Sequence, residues 1–137
     1  MDKKFWISGI VMTIVSLALG FLVHGALLAS DYGALTGLFR TPADSQNYLP
    51  FMMLAHLLQS FAYTWVYRQG ISTREPALSQ GIRFGIAMGF ITAVPIYLYY
   101  YAVQPMPGGL VIKQIIFEFI AVIVKGVAIA LLNRPAR

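Results

Sequence analysis

Four long apolar runs alternate with short polar stretches along the chain. They cover Phe5–Leu28, Leu49–Tyr67, Ile82–Val103 and Leu110–Leu132. Each is close to the roughly 20 residues that a helix needs to cross the hydrocarbon core of a bilayer. Open strands are excluded there, because their unpaired backbone groups would stay unsatisfied in lipid. The pattern therefore predicts an all-α, integral membrane four-helix bundle forming a single domain over residues 1–137. The connections SDYGALTGLFRTPADSQ, RQGISTREPALSQ and QPMPG carry Pro42, Pro76, Pro105 and Pro107, residues that do not continue a helix. In STREPALSQG, Ser72 or Thr73 is placed to cap a helix with Glu75 and Pro76 in its first turn.

The helix faces are patterned too. Helices in lipid associate through small residues and polar contacts. Gly81, Gly85, Gly89 and Ala93 recur every four residues on the third helix, which puts them on one stripe. They read as a helix-packing surface, and Pro95 is expected to kink the helix just beyond it. Gly9, Thr13, Ser16, Gly20 and His24 form a matching stripe on the first helix. His56, Gln59, Ser60, Tyr63 and Tyr67 share a side of the second. Gln114, Glu118, Ala121, Lys125 and Ala128 share a side of the fourth. Each helix thus has one small or polar face, and the four faces can converge.

Composition supports a lipid environment. Of the 137 residues, 58% are hydrophobic and 11% charged, against about 25% charged in ordinary soluble domains. Mean hydropathy is +0.71. A chain this short would bury its apolar surface only partly in water. The N-terminal MDKK and the apolar run after it resemble a signal peptide, but the run exceeds the usual 7–15-residue core, so an uncleaved helix is expected. Cysteine is absent, which excludes disulfides, thiolate metal sites and thiol nucleophiles.

The net charge of +5 describes topology better than nucleic-acid binding. Lys3, Lys4, Arg68, Arg74, Arg83, Arg134 and Arg137 flank one side, and only Arg40, with Lys113 nearby, flanks the other. By the positive-inside rule both termini are cytoplasmic. Tyr97, Tyr99, Tyr100 and Tyr101 then fall near the outer surface, where an interfacial aromatic belt is expected. In the outer loop, Arg40 is expected to form an exposed ion pair with Asp31 or Asp44. The loop, with Tyr32 and Gln46, also offers a docking surface for another subunit.

Candidate chemistry concentrates in the outer half of the bundle. With about 1.5 Å of rise per residue, His24 lies about 6 Å, His56 about 10 Å and Glu118 about 12 Å below the outer boundary. Side chains lean toward the N-terminus of their helix, so Lys113 reaches the outer surface while Lys125 leans toward Glu118. A charge at mid-membrane costs at least ~2.5–3.5 kcal/mol, so it should be paired or kept wet.

Three roles are open for this His24, His56, Gln59, Gln114, Glu118 and Lys125 cluster. In a structural cross-link, Glu118 bonds His56 or Lys125. In a proton-coupled transporter or channel, Glu118 titrates with Lys125 or a histidine as partner. In a ligand site, His24, His56 and Glu118 make a two-histidine, one-carboxylate metal set, or the histidines hold a b-type haem. No short-range ligand spacing supports the third. No phosphate-binding glycine loop or GxSxG elbow is present, so a non-enzymatic bundle is the leading expectation. Four short helices leave little room for a private cavity, which favours a homo-oligomer or a subunit of a larger membrane complex.

FLVHGALLASDYGALTGLFR, FMMLAHLL and RFGIAMGFITAVPIYLYYYAVQPMPGGLVIKQIIFEF together resemble a group of small bacterial four-transmembrane-helix proteins. The resemblance spans about residues 20 to 120. It implies four spans and a bacterial cytoplasmic (inner) membrane, and it brings no activity with it.

Overall fold

The computed structural model describes residues 2–134, and all its regular elements are helical. Arg137, one of the basic flanks, lies outside the described residues. Helix α1 (Lys3–Gly20) starts at Asp2, whose carboxylate accepts the Phe5 amide at 2.9 Å. It runs on through a π-helical turn (Phe21–Leu27) closed by Leu28 N–H donating to the Val23 carbonyl. Two short helices come next, α2 (Ala29–Gly33) and α3 (Pro42–Gln46). The long elements are α4 (Leu49–Gln69), α5 (Ala77–Ile91), α6 (Ala93–Val103) and α7 (Gly108–Leu132).

Three continuous segments are long and apolar enough to cross a membrane: Lys3–Leu27, Ala77–Val103 and Gly108–Leu132. The α4 helix is 21 residues long but more polar, with His56, Gln59, Ser60, Thr64 and Arg68 in its length. Its opposite face is apolar and exposed, with Phe51 at 68% and Leu58 at 62%. The other long segments share this inside-out pattern. Small and polar residues such as Ser8, Ser16, Gly85 and Gln114 are buried, while Ile14, Phe90 and Ile120 face outward.

The α5 and α7 helices pack backbone to backbone. A Cβ built on Gly85 would sit 2.5 Å from Ile123 Cα, and one on Gly126 would sit 2.5 Å from the Gly81 carbonyl oxygen. A Cβ on Gly81 would meet Val127 Cα at 2.7 Å, and one on Gly89 would meet the Phe119 ring. The glycine stripe therefore serves a contact inside the chain, matched by Gly126 on α7.

The break between α5 and α6 falls at Thr92, three residues before Pro95. Proline has no N–H to give to the carbonyl four residues back, and its ring crowds that carbonyl. Thr92 bridges the break: its hydroxyl donates to the Met88 carbonyl at 2.7 Å and lies 2.9 Å from the Tyr63 hydroxyl.

Ionic contacts define the two ends. At the terminal end, Arg68 donates twice to Asp2, at 2.8 and 2.7 Å, and Lys4 donates to the Arg134 carbonyl. At the loop end, Lys113 donates to Asp31 at 2.8 Å and Arg40 to Asp44 at 2.7 Å. Asp31 is thus the partner of Lys113, and Arg40 takes Asp44 while lying 3.5 Å from the centre of the Tyr48 ring.

Two expectations are corrected. Ser72 and Thr73 do not cap α5, which begins after Pro76 without a side-chain cap. The Gln80 amide closes this loop, accepting from Ser72 N–H and donating to the Ser72 and Glu75 carbonyls, each at 2.9 Å. The connection between the first two long elements is also more than a linker. Its Leu35 and Leu38 pack onto the loop-end core of Val23, Leu28, Tyr97, Met106, Leu110, Val111 and Ala121.

Candidate functional site

A second apolar core fills the terminal half, with Met12, Tyr63, Tyr67, Val122, Ile129 and Ala130. The polar cluster sits where α1, α4, α6 and α7 meet. Seven residues separate Glu118 from Lys125, about two turns, so both lie on one face of α7. Lys125 donates to Glu118 at 3.0 Å, with side chains only 4% and 16% exposed.

The π-helical turn carries His24. A π turn shifts the register of the residues beyond it and is frequent at functional sites. His24 Nε2 lies 3.6 Å from the second Glu118 oxygen and 3.3 Å from the Tyr97 hydroxyl, and its Nδ1 lies 2.7 Å from the Tyr32 hydroxyl. Gln114 donates to the same Tyr32 oxygen at 3.1 Å.

The donors order themselves. With its oxygen accepting from Gln114, Tyr32 directs its proton to His24 Nδ1. His24 then carries its proton on Nε2, facing Glu118 and Tyr97. The result is a chain of donors, Gln114 to Tyr32 to His24, that converges with Lys125 on one carboxylate. With His24 neutral, one ammonium balances one carboxylate, which satisfies the requirement that buried charges be paired.

His56 takes a different partner. Its Nδ1 lies 2.8 Å from the Ser16 hydroxyl, and Ser16 is 1% exposed. This histidine is the only hydrogen-bond partner of that hydroxyl among the described residues. The proton of a buried hydroxyl needs an acceptor, so Ser16 donates to Nδ1 and the His56 proton sits on Nε2. That end of the ring lies over Gly20, where a Cβ would be 3.2 Å from Nε2.

Two cavities meet here. A polar one of about 210 Å³ is lined by His24, His56, Gln59, Glu118 and Lys125, with Gly20, Thr92 and Tyr97. A larger apolar groove of about 960 Å³ lies between α1, α4 and the loop, and it shares Gly20, His24 and His56 with the first. Three of the elements that line them, α1 with its π-helical turn, α4 and α7, thus bring together five of the six cluster residues read from the sequence. The sixth, Gln114, lies behind them and supports Tyr32.

Of the two partners expected for Glu118 it takes Lys125 and also faces His24, while His56 is drawn to Ser16. Two readings are corrected. The His24, His56 and Glu118 metal set does not assemble: among the described residues no three His, Cys, Asp or Glu side chains are grouped to hold a metal ion. His24 has polar neighbours at both ring nitrogens, and His56 has one at Nδ1. Tyr97 does not join the belt of Tyr99, Tyr100 and Tyr101, which are exposed. It is 8% exposed and turned into the bundle. Its position was visible in the sequence, since Tyr97 continues the four-residue series Gly85, Gly89, Ala93. Tyr32 carried no such signal, because it reaches the site from the loop.

Comparison of the chain with family models, with curated proteins and with solved structures finds no match in any of the three.

Proposed function

We propose that this chain is a non-enzymatic integral membrane protein of the bacterial cytoplasmic membrane. It crosses the membrane four times with both ends inside, and it holds a small apolar-bodied molecule in its outer half. It works as a self-associating bundle or as a subunit of a larger membrane complex. The observation that carries this reading is the joining of the polar cavity to the apolar groove through Gly20, His24 and His56. A volume near 960 Å³ lies at the upper end of the ~300–1,000 Å³ range of small-molecule sites, which combine apolar walls with a few placed polar groups.

Proton-coupled transport through Glu118 and Lys125 is the second reading. The buried Glu118–Lys125 pair favours it, because intramembrane ionisable pairs mark ion pathways. The terminal half argues against continuous conduction. Beyond Lys125 the helices close on Ile129 and Ala130, each fully buried, and on the contact of Gly81 with Gly126 and Val127.

Topology is tested with single cysteines, since the chain has none of its own. In intact cells, a membrane-impermeant thiol reagent should label Thr36→Cys and spare Ser72→Cys. Labelling of Ser72→Cys alone would reverse the orientation, and labelling of both would break the four-span layout. In liposomes, the binding reading expects no steady proton flux from wild type. A flux abolished by Glu118→Gln would replace it with the transport reading.

A further inference from the structure

The walls of the two joined cavities say more about the occupant. The rim of the groove is apolar and faces outward: Phe21 is 73% and Met52 50% exposed. An occupant therefore enters sideways, from the medium around the helices. Arg40, at the loop end of the groove, is already engaged by Asp44 and Tyr48. It is not a free anchor for an anionic head.

The inner end is charge-balanced. A carboxylate or phosphate entering there would add a second anion beside Glu118, and an amine would add a second cation beside Lys125. Like charges at such distances repel strongly in a low-dielectric site. The unused polar groups are donors in excess. His56 Nε2–H, two of the three Lys125 N–H groups and the Gln59 NH2 group have no hydrogen-bond partner among the described residues, against one unused acceptor, the Gln59 carbonyl oxygen. Both Glu118 oxygens, in contrast, already face donors. A neutral head made of acceptors matches this inventory.

Resting on the ligand-binding reading above, we propose that the site binds a neutral, lipid-soluble carbonyl compound of the prenylated quinone class. The flat dione head occupies the polar cavity, and one carbonyl oxygen accepts from His56 Nε2–H. The hydrocarbon tail lies in the groove and leaves past Phe21 and Met52. A polar cavity of about 210 Å³ has the volume of about seven waters at ~30 Å³ each, room for a single small ring. Gly20 is the gate between the cavities, because any side chain there would cover His56 Nε2. Ser16 is a positioning residue, since its hydroxyl fixes the imidazole tautomer that presents the donor.

The test measures equilibrium binding to the full-length protein in lipid nanodiscs. Three probes share one isoprene tail: a benzoquinone, a benzene without oxygens, and a carboxylate. Saturable binding of one benzoquinone per chain is expected, with the benzene at least tenfold weaker and the carboxylate weaker still. His56→Ala should weaken quinone binding about tenfold, the scale of one hydrogen bond, and Gly20→Leu should abolish it. If His56→Ala does not fold, Gln59→Leu should weaken binding. The ¹⁵N resonance of His56 Nε2 in the wild type should also shift on quinone addition. Equal binding of the benzene, preference for the carboxylate, or an unmoved His56 resonance would overturn the quinone assignment and leave the pocket reading standing. Failure of all three probes to bind would overturn both.

Discussion

Replacing Lys125 with Met keeps the length of the side chain and removes its charge, leaving Glu118 without its ammonium partner. Breaking a buried pair in this way typically costs 3–5 kcal/mol. A ceiling comes from the alternative open to Glu118, which is to take up a proton. From an ordinary glutamate value near 4.3, protonation at pH 7 costs about 3.7 kcal/mol, and at pH 5 only about 1 kcal/mol. Glu118→Gln leaves the Lys125 ammonium instead, which is more deeply buried at 4% exposure of its side chain. Partial exposure of Glu118, at 16% of its side chain, lets water lower the Lys125→Met cost. We therefore expect Lys125→Met to lose about 2–3 kcal/mol and Glu118→Gln slightly more. The double variant has no charge left to strand and should recover most of the loss, giving a coupling of at least ~2 kcal/mol. Reversible unfolding in mixed micelles, followed by circular dichroism at pH 7 and pH 5, measures all four corners. The Lys125→Met deficit should shrink at the lower pH. Additive single effects, or singles within ~0.5 kcal/mol of wild type, would refute the claim that this pair is buried and coupled.

Four further outcomes are expected. Gly85→Ala sets a methyl group against the α7 backbone, which cannot yield as a side chain would; an overpacking loss of ~1–3 kcal/mol should outweigh the ~1 kcal/mol gain in helix propensity. Gly109→Ala, with nothing within 4 Å, should be neutral or stabilising, both variants being measured by the same unfolding in mixed micelles. Tyr97→Phe removes the hydroxyl facing His24 and should cost ~1 kcal/mol, with a change in the His24 imidazole resonance but none at His56. At the terminal end, the two Arg68 bonds and then the Phe5 amide hold the Asp2 carboxyl well below the usual aspartate range. That anchoring is present above pH ~4 and lost as the pH falls further. The protection of the Phe5 amide, its exchange measured against the intrinsic rate at each pH, should therefore fall on acidification in wild type and stay constant in Asp2→Asn.

Periodicity along single helices determined a good deal. The four apolar runs come from length and hydropathy and the break from Pro95, while the glycine stripe and the Glu118–Lys125 pair come from spacings of four and seven residues. Such spacings fix a face before any neighbour is known. Tertiary structure decided which partners those faces met. His56 could reach Glu118 or Ser16 until the rotation of α1 against α4 placed Ser16 2.8 Å away. His24 turns on a π-helical register that no apolar pattern encodes, and Tyr32 enters from a loop that folds back over the end of the bundle. The cavities are likewise products of assembly. Their walls come from α1, α4, α6, α7 and the loop, so their volume and donor balance exist only once those elements have packed.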